Sequence, residues 1–144
     1  MELLSLLNNI HLLEVLILSF HTYRKTVQLE QSNYQTRTAL SYITQKIHQN
    51  DLIGSVSLQQ IDQKDVLVLK SSYSQGKYTT YLYEDKGYLK ELFISNQLEF
   101  DKDDGKKIMP VSHLKMQQIN PYLYHFSCIV DHKEINTNVA IQSK

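Results

Sequence analysis

The residue pattern predicts an α+β protein, a long N-terminal helix followed by an antiparallel β-sheet in one domain. Two observations carry this. The first fifty residues contain no proline or glycine and pass from a leucine-rich start into an apolar stripe of helical period. The rest is a series of short segments broken by turn residues, and it holds most of the ten tyrosines, which favour strands. A chain of 144 residues suits one domain with a real core.

The helix tip comes first. Twelve of the eighteen residues from Leu3 to Phe20 are strongly apolar. A bilayer span takes about twenty mostly apolar residues. This stretch also holds Asn8, Asn9, His11 and Glu14, and a carboxylate in mid-span is costly in lipid. No basic n-region precedes it and no small-x-small cleavage site follows, so it is not the usual kind of signal peptide. Three readings stand side by side: a shortened transmembrane anchor, a soluble helix burying its apolar face against a partner or a second copy, and a core helix of the same domain. Residues 1–21 are therefore set apart as a tip, a membrane anchor or assembly segment. Residues 22–144 form the helix base and a β-rich head.

Arg24 and Lys25 follow the apolar run and no Lys or Arg precedes it. By the positive-inside rule this places the head in the cytoplasm. Basic residues upstream of the present start would reverse that. The orientation adopted is a single N-terminal span with an extracytoplasmic head.

Glu14 lies in the string Leu12-Leu13-Glu14-Val15-Leu16-Ile17. This string resembles the hydrophobic start of type IV pilins and pseudopilins. In those proteins one Glu follows a peptidase site and pairs with a neighbour's N-terminus during assembly. Here Asn9 stands where they have glycine, no basic leader precedes, and the apolar run stops at Phe20. The resemblance makes Glu14 the assembly candidate. The plainer reading is a Glu on the wet side of a helix.

The helix base follows. Thr36, Leu40, Ile43 and Ile47 step by four, three and four, and with Ala39 they form one stripe suited to lying on a sheet. Val27 and Leu29 fit it loosely. Asn50-Asp51, with Gly54 beyond, supplies the stop.

The head reads as strands over 55–61, 66–71, 77–84, 88–95, 114–119, 122–130 and 133–141. The connections are 62–65, 72–76, the hairpin Glu84-Asp85-Lys86-Gly87, a charged loop over 101–107, Asn120-Pro121 and Asp131-His132. Short connections between sequential strands imply an antiparallel meander with the helix over one face.

Two stretches resemble a known family. Arg37-Thr38-Ala39-Leu40-Ser41-Tyr42-Ile43 with Lys46-Ile47 and Gln49-Asn50-Asp51 is the first. Tyr81-Leu82-Tyr83 with Gly87-Tyr88-Leu89-Lys90-Glu91-Leu92 is the second. Both are similar to short single-span proteins of low-GC Gram-positive bacteria, grouped only as a domain of unknown function. The resemblance covers roughly 22–144. It implies a layout like that of minor pilins and supplies no catalytic residues.

Charge and chemistry narrow the function further. Lys plus Arg and Asp plus Glu are each 15, which removes the electrostatic case for nucleic acid and leaves little repulsion against self-association. A lone cysteine, Cys128, excludes an intrachain disulfide and a cysteine metal cluster. His11, His21, His48, His113, His125 and His132 have no metal-ligand spacing. The run from Asp101 to Lys107 fails the EF-hand pattern, since Gly105, Lys106 and Ser112 occupy positions five, six and twelve. It reads as a solvated turn. No phosphate loop or nucleophile motif occurs, so no catalytic, cofactor-binding or metal residue is assigned and no cofactor is expected. The expected function is a non-enzymatic cell-envelope subunit, minor-pilin- or pseudopilin-like, of a type IV pilus or type II secretion-like assembly. Its partners are other envelope subunits, the membrane, or copies of itself through the N-terminal helix. The alternative is a small β-sheet module binding a peptide or small molecule, with no membrane role.

Overall fold

The computed structural model describes residues 2–52 and 54–142, and the side chains of these apart from residues 21–38. The chain divides into two compact units, Met1–Gln35 and Thr36–Lys144. The helix α1 spans Glu2–Gln49, as the run without glycine or proline predicts.

In the first unit, Glu2–Phe20 is helical and none of its side chains is buried. Its twelve large apolar residues are 50–77% exposed. They do not form a stripe. Consecutive helical residues point about 100° apart, so the four-residue run Val15-Leu16-Ile17-Leu18 alone circles the helix.

In the second unit α1 becomes one-sided. Ala39, Ile43 and Ile47 are 0–1% exposed and Leu40 8%, which is the expected stripe. Thr36, Val27 and Leu29, also assigned to it, lie outside the described side chains. Asn50 ends the helix by donating from Nδ2 to the Lys46 carbonyl at 2.9 Å, and Gly54 follows with φ +68°.

Eight strands follow: β1 (Val56–Ile61), β2 (Lys64–Tyr73), β3 (Gly76–Asp85), β4 (Tyr88–Ser95), β5 (Lys106–Pro110), β6 (Ser112–Asn120), β7 (Leu123–Val130) and β8 (Lys133–Ala140). They form two antiparallel sheets, β1-β2-β3-β4-β5 and β6-β7-β8, each in chain order. The expected meander is present but breaks in two at Val111. β5 begins inside the expected charged loop and is an eighth strand beyond the seven the sequence predicts. Its alternation is short, and it is defined by pairing with Leu89 and Tyr88 of β4 across a register shift.

Five hairpins turn on two residues, and in three of them, at Asp62-Gln63, Lys86-Gly87 and Asp131-His132, both turn residues have positive φ. That is what type I′ turns require, and their twist matches the strands they join. The hairpin read at residues 84–87 is thus tighter than expected, with Glu84 and Asp85 inside β3.

The core lies where the second part of α1 meets both sheets. Leu40, Ile43 and Ile47 join Leu67, Leu69, Leu82 and Leu89 of the larger sheet and Leu114, Met116, Tyr124, Phe126 and Val139 of the smaller. Polar contacts fix the arrangement. Tyr42 donates its hydroxyl to Glu91, and Lys46 reaches the same carboxylate at 3.0 Å. Asp65 and Glu84 of the larger sheet accept from the backbone N–H groups of Met116 and Leu114 at 2.9 and 2.7 Å.

Candidate functional site

The larger sheet carries a second cluster on its other face, built on Val66, Val68, Tyr83 and Leu92 with Tyr81, Ile94 and Phe100 against it. Within it sit an aspartate and a lysine, both nearly excluded from water. Lys90 Nζ donates to Asp85 Oδ2 at 2.6 Å, and their side chains are 6% and 5% exposed. β-Alternation puts them there. Asp85 pairs with Tyr88, and Lys90 with Tyr83, so both side chains lie on the face of Tyr83. Lys64 Nζ approaches the other carboxylate oxygen at 3.9 Å.

The segment between β4 and β5 closes this face. The Lys102 carbonyl accepts from Tyr83 Oη at 2.8 Å and from Lys90 Nζ at 3.3 Å. Gly105 passes so close that a Cβ there would fall 2.1 Å from the Tyr83 hydroxyl, so this crossing takes only glycine. The hydrogen bond from Lys90 is the main reason the Asp85 carboxyl is held below its usual 3.8. Burial, with Asp85 nearby, pushes the Tyr83 phenol up to about 12.

This arrangement holds the chain's own loop. Lys90, Asp85 and Tyr83 all have internal partners, and no buried side-chain polar atom among the described residues lacks one. The adjoining cavity, beside Ile61, Val66, Tyr83 and Phe100, measures 70 Å³, room for about two waters. The cluster is a polar pin. The sequence reading missed it because Asp85 looked like a turn residue. The available signal was that Asp85 and Lys90 share the strand face of Tyr83.

The residues singled out from sequence stay apart. Glu14 lies exposed on α1, with His11 Nδ1 3.7 Å from its Oε2 one turn earlier, so Glu14 has a neighbour within its own helix. Cys128 is 1% exposed in the core, and burial pushes its thiol up to about 11. That makes it a packing group rather than a nucleophile. Among the described residues no three His, Cys, Asp or Glu side chains gather as metal ligands. His21 lies outside the described side chains. Asp101 and its neighbours form a turn, in which Asp101 Oδ1 accepts from the Asp103 N–H at 2.9 Å.

A larger concavity runs between the end of α1 and β8. Its volume is 1050 Å³, and its walls include Leu40, Thr44 and His48 on the helix and Ile135, Asn136 and Thr137 on the strand.

Compared with known families, residues 34–131 match a domain of unknown function, DUF4860. The match takes in more than half of the chain. The chain belongs to the DUF4860 family. No curated protein and no solved structure matches it. In this chain the DUF4860 match spans the second part of α1, both faces of the larger sheet and the polar pin, and ends in the turn before β8.

Proposed function

We propose that this DUF4860 chain is a non-enzymatic protein of the cell envelope, anchored by residues 2–20, with the head acting as a subunit in a pilin- or pseudopilin-like assembly. The supporting observation is that Glu2–Phe20 is apolar on every side and exposed throughout. A helix seated against one protein partner needs a stripe; one surrounded by lipid is apolar all round. Nineteen residues span about 28 Å as a helix, close to the ~30 Å of a bilayer's hydrocarbon core. The head lies outside the membrane on the extracytoplasmic side. Glu14, with His11 beside it, is the polar point at which a neighbouring subunit engages the helix.

The test is fractionation. The full chain pellets with membranes and resists carbonate extraction, and a chain starting at residue 22 is soluble with a folded head. Protease added outside spheroplasts digests the head. Glu14→Gln and Glu14→Leu remain in the membrane but lose co-purifying envelope subunits. A full chain that stays soluble overturns the anchor. Variants that co-purify like the parent remove Glu14 from assembly.

The second reading, a small β-sheet binding module, is favoured by the concavity beside β8. A soluble full chain that retains a peptide in that concavity is the outcome it expects.

A further inference from the structure

The two sheets have four outer strands, and three are closed or curtailed. β5 is five residues long and carries Lys106, Lys107 and Pro110, all of which discourage strand pairing. β6 has its outward N–H groups at Leu114 and Met116 taken by Glu84 and Asp65. β1 has its outward carbonyl at Val56 taken by the Tyr124 hydroxyl at 3.2 Å. β8 is curtailed only at its ends, by the charges of Lys133 and Glu134 at its start and, past Ala140, by Asp51 Oδ2, which accepts from the outward Gln142 N–H at 2.6 Å; its middle is open. It is eight residues long and without proline, and among the described residues no side chain bonds to its outward backbone groups.

Which groups point outward follows from one bond. The Ile141 N–H donates to the Tyr122 carbonyl at 2.8 Å, so residue 141 and the other odd positions of β8 face β7. Glu134, Asn136, Asn138 and Ala140 turn their N–H and C=O groups away from the sheet. Ile135 and Thr137 turn their side chains toward the core yet remain only half-buried, because no strand follows β8 to cover them. The concavity lies over them.

We propose that a second copy of this chain occupies that edge, with the two β8 strands antiparallel about a twofold axis through Thr137. The occupant is a strand because the open groups are backbone. Three observations select the same chain. First, an antiparallel self-pair must oppose outward residues to outward residues, so the axis passes through a residue and not between two. Second, the axis at Thr137 sets like against like: Thr137 on Thr137, Asn136 on Asn138, Ile135 on Val139. The Thr–Thr pair is a favourable cross-strand pair, and none of these pairs sets like charges together. Third, charge permits it. Lys133 and Glu134 fall opposite Ile141 and Ala140, whereas an axis at Glu134 would set two carboxylates together. The net charge of zero leaves little long-range repulsion. Outward residues 134, 136, 138 and 140 then exchange about eight backbone hydrogen bonds across the axis. The inward side chains of the second strand enter the concavity beside Leu40. This pairing is independent of the membrane anchor.

The test uses full chains in detergent micelles. Opposed Thr137 Cα atoms would lie about 4.5 Å apart, within the ~4.4–6.8 Å range of a disulfide. Under mild oxidation Thr137→Cys is expected to convert mostly to a covalent dimer. Asn136→Cys and Asn138→Cys, each alone, face themselves diagonally at about 7–8 Å and are expected to give at least tenfold less. Mixed together, those two cross-link to one another. Asn136→Pro and Asn136→Lys keep the β7–β8 ladder, since that N–H points outward, and are expected to sediment as folded monomers whose melting temperature, unlike the parent's, does not rise with protein concentration. Equal cross-linking at all three positions, a parent that sediments as a monomer, or an association untouched by both Asn136 variants overturns the proposal. A monomer that still partitions into membranes fails here while leaving the anchor reading standing.

Discussion

Two stretches of one helix are both rich in apolar residues, and they behave in opposite ways. Residues 39–47 bury Ala39, Ile43 and Ile47 almost completely, while Leu3 to Phe20 bury nothing. The first stretch has fewer large apolar side chains than the second. What separates them is spacing. Steps of three and four confine the apolar residues of the base to one side, which a sheet can cover. Runs such as residues 15–18 face every direction, which takes cover on all sides, from lipid or from several packed helices. Hydrophobic content therefore measures how much surface seeks cover, and periodicity decides what kind of cover suffices.

The contrast sharpens first at the polar pin, where the packed unit has most to lose. Lys90→Met leaves Asp85 buried without its main partner, and breaking such a pair costs about 3–5 kcal/mol. Urea unfolding of the head is expected to show that loss. A change under 1 kcal/mol would mean the pair is far better solvated than its 5–6% exposure indicates.

A direct comparison of the two helical stretches comes next. Ile47→Ala empties a fully buried site and is expected to cost about 2–5 kcal/mol. Leu16→Ala, at a position 63% exposed, is expected to leave the head's melting temperature unchanged. Equal effects at the two positions would mean that spacing does not decide which stretch the head buries.

The smallest effect concerns acid. The folded-state pKa of Asp85 lies below the ordinary 3.8. Its pairing therefore stabilises fully above pH 3.8 and fades as pH falls through the lower folded value. Replacing the pair with Asp85→Asn and Lys90→Met together should flatten this part of the acid limb. An identical limb in parent and double variant would assign it to other carboxylates.

Much of this fold was legible in the sequence because its information is local. The helix shows in residues 1–50, and seven of the strands show in alternation and turn residues. The rest depended on contacts between distant residues. β5 is too short to announce itself and forms because β4 offers an edge. The break at Val111 separates two sheets whose strands look alike in sequence. Asp85 reads as a turn residue until the two-residue hairpin draws it into β3. Of the candidate site, Glu14 was visible as a carboxylate in an apolar run, but its approach to His11 needed the helix to be in place.

The chain order of the strands also bears on how the molecule forms. Each strand pairs only with its neighbour in sequence, and five hairpins close on two residues. Such contacts need little loop closure and form early and fast. The links from Asp65 to Met116, from Glu84 to Leu114 and from Tyr124 to Val56 join residues 51, 30 and 68 positions apart. Each sheet can thus assemble as its own hairpins appear, in the order in which the chain is made. Docking of the small sheet onto the large one, which closes those long separations, is expected to be the slower step.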